Sequence, residues 1–366
     1  MSNEKKIRLL ILTPSLHCGG SEKFVSMLCN NINTQHFSVC LVVINNANQF
    51  YQITNPAIKI IDLKKSRVLF SLFAIKAAVK NFRPDIIFST ANHLNLYLAI
   101  FRKSFKPAIK FIAREASIVS INSQQAKMPA IYNRLIKKYY NRFDSIICQS
   151  VYMRQDLIAH YNIDADKTTV IYNATQEIFT SPVQQERETT ERVYKFITIA
   201  RLSEEKGIER LIHAVGLLPV PFQYYIIGEG EKREELQKLI NELQMQDKIF
   251  LTGEKKEPFT GMEDADLFLM GSYYEGFPNV LLEAGAQGIP VIAFNVPGGI
   301  AEIIASSENG LLVEDNDIIA FGVAIKTGLD TNFNRNKIIE TTKMRFRVNK
   351  IIPAIENLFL KLTENK

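Results

Sequence analysis

Between Ser272 and Val291 the chain reads SYYEGFPNVLLEAGAQGIPV, with two acids, Glu275 and Glu283, set among apolar and small residues. Burying a lone carboxylate is costly, so the two either share a solvated helix face or turn toward a ligand. Pro278 suits the first helical position, and Gly288 with Pro290 stops the helix. Glu275 then lies in the loop before the helix and Glu283 inside it. A spacing of this kind along a helix spans roughly 12 Å. That is too far for a shared proton and suits the two ends of one extended ligand.

Upstream, IARLSEEKGIERLIHA delivers Arg201 at the end of a strand and Lys206 just before a helix opened by Gly207. Two cations there can neutralise a phosphate leaving group. The bland reading pairs them with Glu204 and Glu205 at the surface. Gly19-Gly20 in LTPSLHCGGSEKF and Gly298-Gly299 in NVPGGIAEII each lead from a strand into a helix, where backbone N–H groups favour an anion. His17, and His93 in STANHLNLY, suit proton handling or polar lining. Arg114-Glu115, at the end of another strand, meets a ligand or forms a local ion pair. Asp164-Ala165-Asp166 and Asp264-Ala265-Asp266 spell D-x-D but read as structural.

The elements that position these residues alternate strand and helix. Expected strands are Ile7–Thr13, Phe37–Ile44, Ile58–Leu63, Asp85–Thr90, Lys110–Ala113, Ser145–Gln149 and Thr169–Tyr172. The second half adds Lys195–Ala200, Tyr224–Gly228, Lys248–Thr252, Asp266–Met270, Val291–Phe294 and Gly310–Val313. Amphipathic stretches such as Ser21–Ile32, Leu69–Asn81 and Ala130–Tyr140 lie between them. This pattern implies parallel sheets covered by helices, in two doubly wound domains with ligands at the carboxyl ends of the strands and a cleft between. The expected domains are 1–180 and 195–348, joined by the polar linker 181–194, with the C-terminal helix 349–366 packing back on the first.

Composition is that of a soluble globular chain: 46% hydrophobic and 22% charged. No apolar run approaches the ~20 residues that span a bilayer. The N-terminal MSNEKKIRLLILTPS reads as a first strand, so a cytoplasmic protein is expected. Cys18, Cys29, Cys40 and Cys148 show no C-x-x-C pairing, which leaves reduced thiols as the default. Charge is uneven. Residues 1–180 hold 23 Lys and Arg against 10 Asp and Glu, while the remainder is net acidic. Within 102–142 there are ten basic residues and one acid, so that half is expected to face a polyanion or an anionic lipid surface.

In the order ARLSEEKG, IIGEGEKREEL, SYYEGFPNVLLEAGAQGIPVIAFNVPGGIAEII and ENGLLV, the chain resembles the retaining glycosyltransferases of family 4, which have the GT-B fold. The glycine pair after the first strand and the terminal RFRVNKIIPAIENLF extend the resemblance over nearly the whole chain, and it is strongest over 198–314. It implies that Arg201 and Lys206 hold the nucleotide-sugar diphosphate and stabilise it as it leaves. Glu275 would contact the donor sugar hydroxyls, and Glu283 the ribose hydroxyls. Backbone N–H groups of Gly276, Phe277, Pro278 and Asn279 would line the sugar and phosphates, and Gly19 and Gly20 would close over the diphosphate. His17, His93, Arg114 and Glu115 remain candidates for acceptor or sugar contacts.

The implied activity moves a hexose or N-acetylhexosamine from a nucleotide-diphosphate sugar to a glycan acceptor, with no cofactor and no metal. A UDP-sugar is favoured over a GDP-sugar. The expected acceptor is a polyprenyl-diphosphate-linked glycan in lipopolysaccharide or capsule synthesis, made on the inner face of the cytoplasmic membrane. IYNRLIKKYYNRF, in the basic segment, would seat the first domain there. The alternatives are a nucleotide-sugar epimerase of the same fold, a non-catalytic binding protein, and a nucleotide-dependent oxidoreductase, for which G-x-G-x-x-G is missing.

Overall fold

The computed structural model describes residues 6–175 and 192–364. The expected linker therefore lies outside the described residues as far as 191, and its last residue, Tyr194, already opens a strand. The chain divides into two compact units, one running to Ala174 and resuming at Val348, the other spanning Thr175–Arg347.

Unit one holds β1 (Ile7–Thr13), β2 (Phe37–Val43), β3 (Lys59–Asp62), β4 (Ile86–Thr90), β5 (Lys110–Arg114), β6 (Ser145–Cys148) and β7 (Thr168–Val170). They form one parallel sheet in the order β3-β2-β1-β4-β5-β6-β7. Its helices are α1 (Gly20–Asn31), α2 (Leu72–Phe82), α3 (Asn92–Phe101), α4 (Val119–Gln124), α5 (Pro129–Tyr139) and α6 (Val151–Tyr161). Unit two holds β8 (Tyr194–Ile199), β9 (Phe222–Ile227), β10 (Ile249–Gly253), β11 (Leu267–Met270), β12 (Val291–Asn295) and β13 (Gly310–Glu314), also parallel, in the order β10-β9-β8-β11-β12-β13. Its helices are α7 (Ile208–Gly216), α8 (Arg233–Glu242), α9 (Asn279–Ala286), α10 (Ile300–Ile303), α11 (Ile318–Asp330) and α12 (Arg335–Phe346). Each expected strand is present, with ends within two residues. In both sheets the strand order reverses once, between β1 and β4 and between β8 and β11. Ligands of such sheets bind outside the carboxyl ends of the strands at that reversal.

The last helix, α13 (Val348–Glu364), belongs to unit one and buries Val348, Ile351, Ile352, Ile355 and Phe359. Phe359 meets Phe37 and Phe88 edge-on at 6.0 and 5.5 Å between ring centres. Glu356 Oε1 accepts a hydrogen bond from Asn33 N at 2.7 Å. The stretch expected as one helix over Leu69–Asn81 is broken at Ser71. There the hydroxyl donates to Val68 O at 2.5 Å, and a short turn, Val68–Phe70, precedes α2. Among the described residues no helix is long and apolar enough to cross a membrane.

One expectation is corrected inside this unit. Arg114 and Glu115 are 1% and 0% exposed, so they line a polar core and do not stand open to solvent at the strand end. Glu115 Oε1 accepts from Asn95 Nδ2 at 2.8 Å and from the Tyr140 hydroxyl at 3.0 Å. The Arg114 guanidinium lies 3.6 Å from the Phe24 ring centre and donates to Asn173 Oδ1. The end of a strand serves a core as readily as a cleft. Burial pushes the Glu115 carboxyl up to about 7, against the pull of Asn95, Tyr140 and Arg114.

A carboxyl that keeps its proton to higher pH when folded adds stability at low pH and loses it as pH rises. From the ordinary 4.5 up to about 7, the wild-type chain should therefore weaken relative to Glu115→Gln, with no further change above. Urea midpoints of the two proteins across that range check this; parallel profiles would contradict it.

Candidate active site

In unit two, β8 runs into Ala200–Ser203, a single 3-10 turn over Glu204–Lys206, and then Gly207, left-handed at φ 54°. β11 ends at Met270 and is followed by Gly271. A β-carbon on Gly207 would stand 2.1 Å from Gly271 O, and one on Gly271 would stand 2.4 Å from Gly207 O. The two loops thus meet backbone to backbone, and Tyr273 N donates to Glu205 O at 2.9 Å. This contact brings Lys206 Nζ to 2.6 Å from Glu275 Oε1, which also accepts from Ser272 Oγ at 2.8 Å. Both partners are partly buried, which strengthens a charge-assisted bond.

The bland surface pairing of Lys206 is absent. Glu204 faces Lys232 at 3.6 Å, and Glu205 accepts from Ser203 Oγ at 2.7 Å. Burial would raise the Glu205 carboxyl. Its hydrogen bonds from Ser203 and its own backbone N–H, with Lys206 and Arg201 nearby, hold it below the ordinary range. Arg201 is exposed.

Two further glycine turns brace these loops. Gly228 and Gly230 of the IIGEGEK segment press on Ala200 O and Leu202 O, where β-carbons would stand at 1.8 and 2.3 Å. Leu202 N donates to Glu229 O at 2.9 Å, so this turn holds the strand end that carries Arg201. Gly298 (φ 126°) would put a β-carbon 1.5 Å from Glu275 O, and Gly299 N donates to Gly276 O at 3.0 Å. The Gly298-Gly299 turn therefore clamps the backbone of Glu275. The helix after it, α10, has only four residues and offers little dipole for an anion.

The rest of the segment corrects two expectations. Pro278 is the cap of α9, extended at φ −73° and ψ 110°, and not its first helical residue. Having no N–H, it cannot donate to a ligand. Phe277 is buried edge-on against Phe346 of α12 at 5.7 Å, so its ring anchors the loop. Gly276 and Asn279 flank that anchor and are half-buried, as is Glu283 within α9.

One residue of this site was not foreseen. Arg210 of α7 is buried between the rings of Tyr273 and Phe294, at 4.0 and 3.9 Å from their centres. Its Nε donates to Gly271 O at 2.6 Å, Nη2 to Ser272 O, and Nη1 to Asp315 Oδ1 at 2.7 Å. It ties down two successive carbonyls in the loop that leads to Glu275. In IERLIHA it reads as a solvated cation on a helix, and the only hint is its place among apolar neighbours.

In unit one, β1 and β4 are neighbours at the strand reversal. Gly19 caps α1, and the anion at that helix end is the chain's own Glu22. Ser15 Oγ donates to Glu22 Oε1 at 3.3 Å, and a β-carbon on Gly19 would lie 2.5 Å from Glu22 Oε2. His17, His93 and Gly20 are exposed. Burial of part of its ring pushes the His93 pKa down, and Glu22 pulls it back.

The D-x-D pairs lie elsewhere. Asp164 caps its own turn by accepting from Asp166 N. Asp264 and Asp266 bind Lys195 Nζ and N, at 2.5 and 2.8 Å, at the amino ends of the strands.

Two family models match the chain in succession: one described as Glycosyltransferase Family 4 over residues 18–176, and one described as Glycosyl transferases group 1 over residues 181–345. A Campylobacter jejuni protein, N-acetylgalactosamine-N,N'-diacetylbacillosaminyl-diphospho-undecaprenol 4-alpha-N-acetylgalactosaminyltransferase, is 28% identical over 92% of this chain and 94% of its own. Sucrose-phosphate synthase from Thermosynechococcus elongatus shares the fold with a TM-score of 0.84, at 18% identity over 99% of this chain and 100% of that one. The Anabaena protein HepE, solved with UDP-glucose, does so with a TM-score of 0.79, at 20% identity over 97% and 100%.

The role of Arg210 is testable without any ligand. Arg210→Met should speed hydrogen exchange of the 271–276 amides by about tenfold or more, since a buried guanidinium's two carbonyl bonds and its ion pair with the exposed Asp315 are lost. Arg210→Lys should not restore protection, because an ammonium lacks the planar fork that bridges two carbonyls. A uniform loss of protection across unit two would reduce Arg210 to a general core residue.

Proposed function

Because the chain belongs to the family 4 glycosyltransferases and has their GT-B fold, we propose that it is a retaining enzyme whose donor is bound by unit two. The donor is a nucleotide-diphosphate sugar, a UDP-sugar first, carrying a hexose or N-acetylhexosamine. The observation that carries this reading is the Lys206–Glu275 pair at the strand reversal, with Arg201 exposed on the same loop. A cation beside an acid is what the junction of a diphosphate and a sugar requires. Lys206 and Arg201 take the diphosphate, Glu275 accepts from the sugar hydroxyls, and Glu283 accepts from the ribose. Backbone N–H groups of Gly276, Phe277 and Asn279 complete the lining.

Without a protein nucleophile, the acceptor attacks from the face the diphosphate leaves, and the diphosphate takes the acceptor proton. Catalysis is then charge stabilisation by fixed groups, and Arg201 and Lys206 do the work a metal ion would otherwise do. We propose no metal requirement.

The acceptor we propose is a polyprenyl-diphosphate-linked glycan in surface polysaccharide synthesis. The printed activity of the Campylobacter relative, which acts on a diphospho-undecaprenol-linked substrate, supports it. The UDP-glucose in the Anabaena structure supports the donor class. The basic balance of unit one supports an anionic membrane surface as its partner on the cytoplasmic side. No observation favours the epimerase alternative.

Arg201→Ala and Lys206→Ala should each lower kcat by about 100-fold, with donor hydrolysis or transfer as the readout. EDTA should leave the wild-type rate unchanged, and NMR of the product should show the donor's anomeric configuration. An inverted product, or full activity in either variant, would refute the assignment.

A further inference from the structure

Among the described residues, unit one leaves an apolar surface exposed. The turn Val68–Phe70 and the start of α2 expose Leu69 (67%), Phe70 (62%) and Phe73 (85%). Single exposed apolar residues are ordinary, but three large ones within five residues make a patch. They are held up and not loose. The Tyr97 hydroxyl donates to Leu69 O at 3.1 Å, Ser71 closes the turn, and Ile75 N donates to Ser71 O at 2.8 Å. α2 meets the rest of unit one through Ile75, Ala78 and Val79, so Phe73 points away from the core.

Charge selects the occupant. Between Asp62 and Asp85 there are six Lys or Arg and no acid. Lys64, Lys65 and Arg67, just before the patch, are exposed. The basic loop 102–106 adjoins α2, with Lys76 Nζ 5.9 Å from the Phe105 ring centre. Aromatic tips ringed by cations suit the boundary of an anionic bilayer: the cations draw in the lipid headgroups, and the rings enter the acyl edge.

We propose that Leu69, Phe70 and Phe73 are the residues by which unit one enters an anionic membrane, with Lys64, Lys65 and Arg67 holding the headgroups. The proposal rests on the membrane-facing part of the proposed function and moves it to a specific surface. The basic segment 102–142 then flanks the insertion and does not perform it.

The chain has no tryptophan, so Phe73→Trp gives a single fluorescent probe at the patch. With the full chain, its emission should shift to the blue on vesicles of phosphatidylcholine with phosphatidylglycerol, and not on phosphatidylcholine alone. Leu217→Trp, exposed in unit two, should not shift. Phe70→Ser with Phe73→Ser should weaken co-sedimentation with the anionic vesicles by about tenfold or more. Nucleotide-sugar hydrolysis in vesicle-free buffer should stay at the wild-type rate, which separates this surface from the transferase reading. Vesicle binding unchanged by the two serines would overturn the proposal, as would bound protein without a blue shift. Self-association that depends on Phe73 without vesicle binding would assign the patch to a second copy and overturn it too. A chain that binds no anionic vesicles at all would remove the membrane reading itself.

Discussion

Gly207 and Gly271 approach so closely that neither has room for a β-carbon, and the geometry at this edge of unit two depends on that approach. Parallel strands side by side lie about 4.8 Å apart, and their loops normally diverge. Here the β8 and β11 loops are pulled together instead, so that a lysine from one reaches a carboxylate from the other at 2.6 Å. The Gly228–Gly230 turn braces the first loop and the Gly298–Gly299 turn braces the second, each through a carbonyl that a β-carbon would strike. The glycines therefore act as spacers between backbones. They fix the backbone that carries the charged groups of this edge, and fixed charges are the condition for electrostatic catalysis.

Arg210 supplies the polar half of that bracing. A buried guanidinium is expensive unless it is well partnered, and here it lies about 4 Å from the ring centres of Tyr273 and Phe294 and donates to two carbonyls and Asp315. The three cations of this site thus divide into one that is sealed and positions, one that pairs with Glu275, and one, Arg201, that is exposed.

Both sheets were legible from β-branched runs alternating with helical stretches, because strands buried on both faces carry a continuous apolar signal. Lys206 and Glu275 were legible as residues of loops that lead into helices, while their contact was not, because it joins loops distant in sequence. Position alone misled at Arg114 and Glu115, since a strand end can feed a polar core as well as a cleft. At Gly19-Gly20 the glycine turn before α1 was legible, and the part played by the acid in that helix's first turn, Glu22, was not. Arg210 was invisible because burial of an arginine depends on two rings and three acceptors, most of them distant in sequence. The break at Ser71 was hidden because Val68–Phe70 and α2 share one apolar pattern.

The central claim is that the Lys206–Glu275 pair marks the junction between a diphosphate and a sugar. Calorimetric titration of UDP and of a UDP-sugar into wild type, Lys206→Ala and Glu275→Gln tests it most directly. Lys206→Ala should lose affinity for both ligands. Glu275→Gln should bind UDP about as well as wild type while losing the added affinity that the sugar confers. Equal losses for UDP in the two variants, or none in either, would contradict the assignment of the cation to the diphosphate and the acid to the sugar.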